Sequence, residues 1–247
     1  MDLPVVGDAK QALEMLLAEP VVQNNTEKWI EKVTKDKERV RSYDKKERMV
    51  QPQAVIERIG ELTKGDAVVV TDVGQHQMWT AQYYPYQNER QLVTSGGLGT
   101  MGYGLGASLG AKVGNPDKIV VNIAGDGCFR MNLNELATLV SYRLPIVDLV
   151  MNNTVLGMVR QWQTVFYDRR YAQTAPCRQT DFVRLAEAFG AQGFRIERPD
   201  QIEPVLQEAL SCGGPCVVDC RISPDAMVLP MIPPGRAVQD TINVFME

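Results

Sequence analysis

No apolar run in the chain approaches the twenty or so residues that cross a bilayer. The N-terminus also lacks the apolar core of a signal peptide, so no membrane partner is expected. Excess positive charge is missing too. Net charge is −4, which removes the electrostatic case for nucleic acid. The densest basic stretch, Lys32 to Arg48, is interleaved with Asp36, Glu38, Asp44 and Glu47. It reads as a solvated helix or linker face. Cysteines number only five, an odd set that suits a reducing compartment, so a cytoplasmic protein is expected. Cys212, Cys216 and Cys220 recur every four residues, but the last two fall in the strand-like Pro215–Cys220. Buried apolar thiols are therefore expected there rather than a metal or cluster site. Internal repeats and low-complexity tracts are absent as well.

What is present is an alternation of apolar runs and helical periods. Residues 3–8 followed by Ala9 to Leu17 read as a strand, a turn and a helix with no neighbour in the chain to bury them. Residues 20–50 are polar and charged, like an interdomain connection. From Gln51 a compact pattern begins. Helices are predicted over Pro52–Leu62, Gln75–Tyr83, Leu98–Val113, Asn132–Tyr142, Val155–Val165, Asp181–Phe189 and Gln201–Leu210. Strands are predicted over Asp66–Asp72, Gln91–Thr94, Ile119–Ala124, Ile146–Met151 and Cys216–Arg221. Strands apolar on both faces and alternating with helices specify an α/β fold, a parallel sheet with helices on both faces. The segment Pro224–Gly235, rich in proline and methionine, is expected to be irregular and to lie over something.

Two motifs sit at the ends of consecutive predicted strands: Gly125-Asp126-Gly127 and Asn152-Asn153. One helix's worth of chain between them would bring a carboxylate and a carboxamide to the same sheet edge. Asp126, the Asn153 oxygen and the Val155 carbonyl are then candidates for a hard cation such as Mg2+, which takes its remaining oxygens from a diphosphate and water. Taken singly, Gly-Asp-Gly is a turn and Asn-Asn a helix cap; the spaced pair favours the site. The segment Gly97–Gly102 fits G-x-G-x-x-G and competes as a dinucleotide-binding turn. That alternative leaves Asn152-Asn153 unexplained and lies midway along the domain, so it is the weaker reading. His76, the only histidine, follows a predicted strand at a helix N-terminus. With Gln75 it is placed on phosphate oxygens, since no nucleophile or orienting carboxylate for base catalysis is evident nearby. Met158, Val159, Trp162, Phe166 and Tyr167 form an apolar stripe at helical spacing; it is core or pocket wall, and Trp162 is taken as substrate wall.

The surrounding words narrow this further. Val73-Gly74-Gln75-His76-Gln77-Met78-Trp79, Ser95 to Gly102, Leu156-Gly157-Met158-Val159-Arg160-Gln161-Trp162-Gln163, Phe166-Tyr167, Arg170-Tyr171 and the tail Leu229–Gly235 resemble the catalytic large subunit of the acetolactate synthase family. The resemblance covers essentially the whole chain. It implies a thiamine-diphosphate-binding domain of the pyrophosphate type over residues 51–223, preceded by a remnant of a middle domain plus linker (1–50) and followed by a tail over the site (224–247). Cofactor contacts would come from Val73, Gly74, Gln75, His76, Gly99, Met101, Gly125, Asp126, Gly127, Cys128, Asn153, Val155, Leu156, Gly157 and Met158. Mg2+ would be held by Asp126, Asn153 and Val155, and Trp162 would help select the acceptor. Met101 matches the residue that props the cofactor in its bent form. Cys128 departs from the serine expected there. The family joins pyruvate to a second 2-ketoacid with loss of CO2, acts as a homodimer or tetramer with a regulatory small subunit, and carries FAD in its middle domain. Its activating glutamate lies on an N-terminal domain, so no catalytic residue is assigned here and the chain alone is expected to be inactive. A separate diphosphate-binding subunit of a split thiamine-diphosphate decarboxylase, or a dinucleotide-binding module, are the alternatives.

Overall fold

The computed structural model describes residues 4–20, 25–40, 43, 48–176 and 180–243; Cys177 lies outside them. The chain divides into two units, Met1–Ser42 and Tyr43–Glu247.

Among its described residues the first unit holds two helices, α1 (Ala9–Ala18) and α2 (Glu27–Val40). Asp8 caps α1 by accepting from the Gln11 backbone N–H at 3.1 Å, a contribution of about 1 kcal/mol to the helix end. No α1 residue is buried, and Val5, Val6, Leu16 and Leu17 are exposed. The strand expected over residues 3–8 does not form in its described part, 4–8, because a lone extended segment has no ladder to join. On α2 the Lys35–Glu31 pair at 2.7 Å is exposed and contributes little to stability.

The second unit opens with α3 (Pro52–Leu62), proline occupying its first turn as expected. Then come β1 (Val68–Thr71), α4 (Gln75–Tyr83), β2 (Leu92–Thr94), α5 (Tyr103–Gly114) and β3 (Val120–Gly125). They are followed by α6 (Asp126–Phe129), a 3-10 turn at Leu133–Glu135, α7 (Leu136–Ser141) and β4 (Ile146–Asn152). Next are α8 (Gly157–Phe166), α9 (Phe182–Phe189), β5 (Gln192–Ile196), α10 (Ile202–Ser211) and β6 (Cys216–Arg221). All strand pairs are parallel, in the order β2-β1-β3-β4-β6-β5. Among the described residues no helix is long and apolar enough to cross a membrane.

Period-two alternation sends successive strand residues into two separate cores. Val69, Val121, Ile123, Leu149 and Val218 pack with Ile56, Ile59, Trp79 and Leu206 from α3, α4 and α10. Val70, Val120, Val150 and Val217 pack with Leu105, Phe129, Leu139 and Phe182 on the opposite face. Cys216 and Cys220 are buried free thiols in the first core.

The chain steps from β1 to β2 on one side, then crosses back to lay β3 on the other side of β1. Strand order therefore reverses between β1 and β3, and open parallel sheets bind ligands outside the carboxyl ends of strands at such a point.

Several boundaries differ from the sequence reading. The helix expected from Leu98 begins only at Tyr103, because Gly99 and Gly102 adopt φ of +64° and +87° and turn the chain instead. Asn132–Tyr142 splits into the 3-10 turn and α7, and the predicted Val155 start of α8 moves to Gly157. Short α6 and the edge strand β5 were not anticipated.

Candidate cofactor site

Three strand ends and one turn supply the site. At the end of β1, Val73 and Gly74 lead directly into α4, whose first residues are Gln75 and His76. Gln75 is buried; its Nε2 donates to Gln161 Oε1 and to the Ala226 carbonyl, both at 2.8 Å. Its Oε1 is buried without a partner, as is His76 Nε2. Burial pushes the His76 pKa down to about 4, with a hydrogen bond to the Asp72 backbone opposing. The imidazole is therefore neutral at neutral pH.

At the end of β3, Gly125 is followed by α6, which begins with Asp126, Gly127 and Cys128. Asp126 is buried, and its Oδ2 accepts from Arg130 Nη1 at 2.8 Å. Burial raises the carboxyl pKa while the Arg130 charge opposes. Cys128 Sγ donates to the Val73 carbonyl at 3.0 Å, tying the β1 and β3 ends together. Burial pushes this thiol up to about 12, so it is un-ionised.

At the end of β4 the two amides diverge. Asn152 Nδ2 donates to Asp219 Oδ1 on β6 at 2.8 Å. Asn153 faces the cavity, and its Oδ1 accepts from the Val155 N–H at 3.1 Å. Gly157 then starts α8 where no side chain fits: a Cβ there would collide with Gln75 Oε1 and stand 2.6 Å from Asn153 Nδ2. Gly99 and Met101 enter from the turn before α5.

These elements enclose one cavity of about 200 Å³. All fifteen residues expected to contact cofactor line it: Val73, Gly74, Gln75 and His76; Gly99 and Met101; Gly125, Asp126, Gly127 and Cys128; Asn153, Val155, Leu156, Gly157 and Met158. The structure adds Trp79, Met151, Val159 and Ile222. No cofactor contact was expected of Trp79 or Met151, which lie in a predicted helix and strand, and Ile222 directly follows β6. Trp162 does not line this cavity. It lies in an adjoining groove with Tyr167 and Arg170, its ring 5.6 Å from Phe166, and only Met158 and Val159 border both spaces.

The rival glycine motif has a different task. Asp72, a buried acid that sequence reasoning passed over, accepts from the Gly102 N–H at 2.8 Å and the Gly104 N–H at 3.2 Å. The amides at the start of α5, which a dinucleotide pyrophosphate would need, are already satisfied from within the protein.

The donor set is chemically selective. Among the described residues no three His, Cys, Asp or Glu side chains are grouped to hold a metal. One carboxylate, one amide oxygen and a backbone carbonyl are hard-cation donors too few to complete a shell. A cation bound there must draw its other oxygens from a ligand or water. The unpartnered Gln75 Oε1 and His76 Nε2 mark polar positions on the cavity wall that no protein group satisfies.

Comparison with known proteins agrees with this geometry. Residues 72–220 match the family described as thiamine pyrophosphate enzyme, C-terminal TPP binding domain. The chain is 45% identical over 244 residues to an acetolactate synthase large subunit of Lactococcus lactis, covering 98% of this chain and 42% of that protein. It is 45% identical over 217 residues to the acetolactate synthase isozyme 3 large subunit of Escherichia coli, covering 85% and 38%. A mitochondrial acetolactate synthase catalytic subunit of Aspergillus candidus is 40% identical over 247 residues, covering 96% and 35%. The chain thus spans about two fifths of the length of these curated relatives. With its matched segment running from the Asp72 clamp through the cavity to β6, the chain belongs to the C-terminal, thiamine-pyrophosphate-binding domain family of thiamine pyrophosphate enzymes.

Proposed function

We propose that this chain is the cofactor-anchoring part of an acetolactate synthase large subunit. That enzyme would join pyruvate to a second pyruvate or to 2-ketobutyrate, releasing CO2 and giving 2-acetolactate or 2-aceto-2-hydroxybutyrate for branched-chain amino-acid synthesis. The observation that carries the reading is the convergence of Asp126, Asn153 and the two unsatisfied groups of Gln75 and His76 on one cavity at the strand-order reversal.

In this reading Asp126, Asn153 and the Val155 carbonyl hold Mg2+, and the start of α4 with Gln75 and His76 receives the diphosphate. Met101 and Leu156, both lining the cavity, shape the space for the rest of the cofactor. Bound thiamine diphosphate supplies the electron sink for decarboxylation and carbon–carbon bond formation. The chain contributes placement, exclusion of water and compensation of charge. Trp162 in the adjoining groove would contact the acceptor ketoacid. Among the described residues Asp126 is the one acid lining the cavity; in this reading the activating glutamate and the FAD site would lie on other domains of a homodimer or tetramer served by a regulatory small subunit. The free thiols Cys128, Cys212, Cys216 and Cys220 suit a cytoplasmic setting.

Calorimetry with thiamine diphosphate plus Mg2+, NAD and FAD separates the readings. Heat that saturates only with thiamine diphosphate and Mg2+ is expected. Saturation with NAD alone would return the Gly97–Gly102 turn to a nucleotide role.

A further inference from the structure

Arg130 is not among the residues that line the cavity, yet it holds the acid at the centre of the proposed cation site. Its Nη1 lies 2.8 Å from Asp126 Oδ2, and the two side chains are only 9% and 3% exposed. Its Nε donates to Thr180 Oγ1 at 3.0 Å, and the guanidinium sits 5.2 Å over the Phe182 ring. These anchors fix the positive charge beside Asp126. A guanidinium cannot shed its proton, and burial leaves its field poorly screened.

We propose that Arg130 makes occupation of the cation site conditional on the diphosphate. This rests on the cation site proposed above. With no cation bound, Arg130 neutralises Asp126, which would otherwise be an unpaired buried charge. A bare divalent cation must share that single carboxylate with the guanidinium and adds two positive charges beside a third. Among the described residues no other acid lines the cavity to compensate, and Gln75 and Asn153 are neutral. A diphosphate arriving with the cation brings the missing negative charge. Arg130 then changes from a competitor of the cation into a counter-charge for the complex. Cation and cofactor therefore bind as a unit, and free divalent cation alone is held off.

The test uses Mn2+ as probe, its free fraction read by electron paramagnetic resonance, on the full chain with and without thiamine diphosphate. For the unmodified chain, thiamine diphosphate should tighten Mn2+ binding at least about tenfold, the scale of one charge-assisted hydrogen bond. In Arg130→Gln and Arg130→Met, Mn2+ alone should bind about tenfold tighter than to the unmodified chain, and the enhancement by thiamine diphosphate should shrink. Arg130→Lys, which keeps the charge, should retain most of the enhancement. The proposal is overturned if a neutral variant that melts cooperatively binds Mn2+ alone no more tightly, while Mn2+ with thiamine diphosphate still depends on Asp126. If Asp126→Ala binds both probes like the unmodified chain, the cation site itself is wrong, and the role of Arg130 falls with it.

Discussion

Asp148, at the middle of β4, shows how a buried ionisable group can be read for stability. It is fully buried, accepts from Asn122 Nδ2 at 2.8 Å through Oδ1, and leaves Oδ2 unpartnered. Desolvation pushes its pKa up to about 7, and the Asn122 hydrogen bond opposes. A carboxyl whose folded pKa exceeds its unfolded value stabilises the fold fully below about pH 4; that contribution is lost as pH rises through about 7. Asp148→Asn should therefore raise Tm more at pH 8 than at pH 4, and a shift independent of pH would contradict the account. Gly157 gives a second prediction at this scale. Adding one methyl displaces Gln75 Oε1 and Asn153 together. Gly157→Ala should thus weaken thiamine diphosphate binding about tenfold or more while far-UV circular dichroism stays unchanged, and unaltered calorimetric affinity would sink it.

The elements that position the site differ in how openly their residues announce them. Every residue of β1 and β4, and all but the last of β3, is buried, so these strands read as largely apolar runs, broken inside only by the paired Asn122 and Asp148, with glycine, Asp or Asn at their ends. Strand β5 carries Gln192, Gly193 and Arg195 at the sheet edge, where composition no longer signals a strand. The start of α5 was misplaced because Leu98 and Met101 continue an apolar helical period that two left-handed glycines interrupt. The strand-end motifs of the site were legible. Its supports were not: Asp72 acts 30 residues away on Gly102, and the Arg130–Asp126 pair follows from α6, a single turn without sequence periodicity. Asp72→Ala would leave two buried N–H groups unpaired, at about 1–3 kcal/mol each. Chemical denaturation should show that loss, and a change below about 0.5 kcal/mol would mean the clamp is not structural. Leu149→Ala, in the middle of the sheet, should cost about 2–5 kcal/mol by the same measurement.

At the scale of the molecule, strand order and chemistry coincide. The reversal between β1 and β3 places Val73–His76 beside Gly125–Cys128, and β4 adds Asn153 and Val155 on the next strand. The sheet would make the proposed anchor, but among the described residues a single acid lines the cavity. The chain by itself should accordingly form no acetolactate from pyruvate, and detection of the product with the purified chain would refute that division of labour. The central claim is that Asp126 anchors the diphosphate through a divalent cation. Titration of thiamine diphosphate by calorimetry, with Mg2+ and then with excess chelator, on the unmodified chain and on Asp126→Ala, tests it most directly. Binding that requires Mg2+ and vanishes in Asp126→Ala is the expected result; affinity retained in Asp126→Ala or under chelator would contradict it.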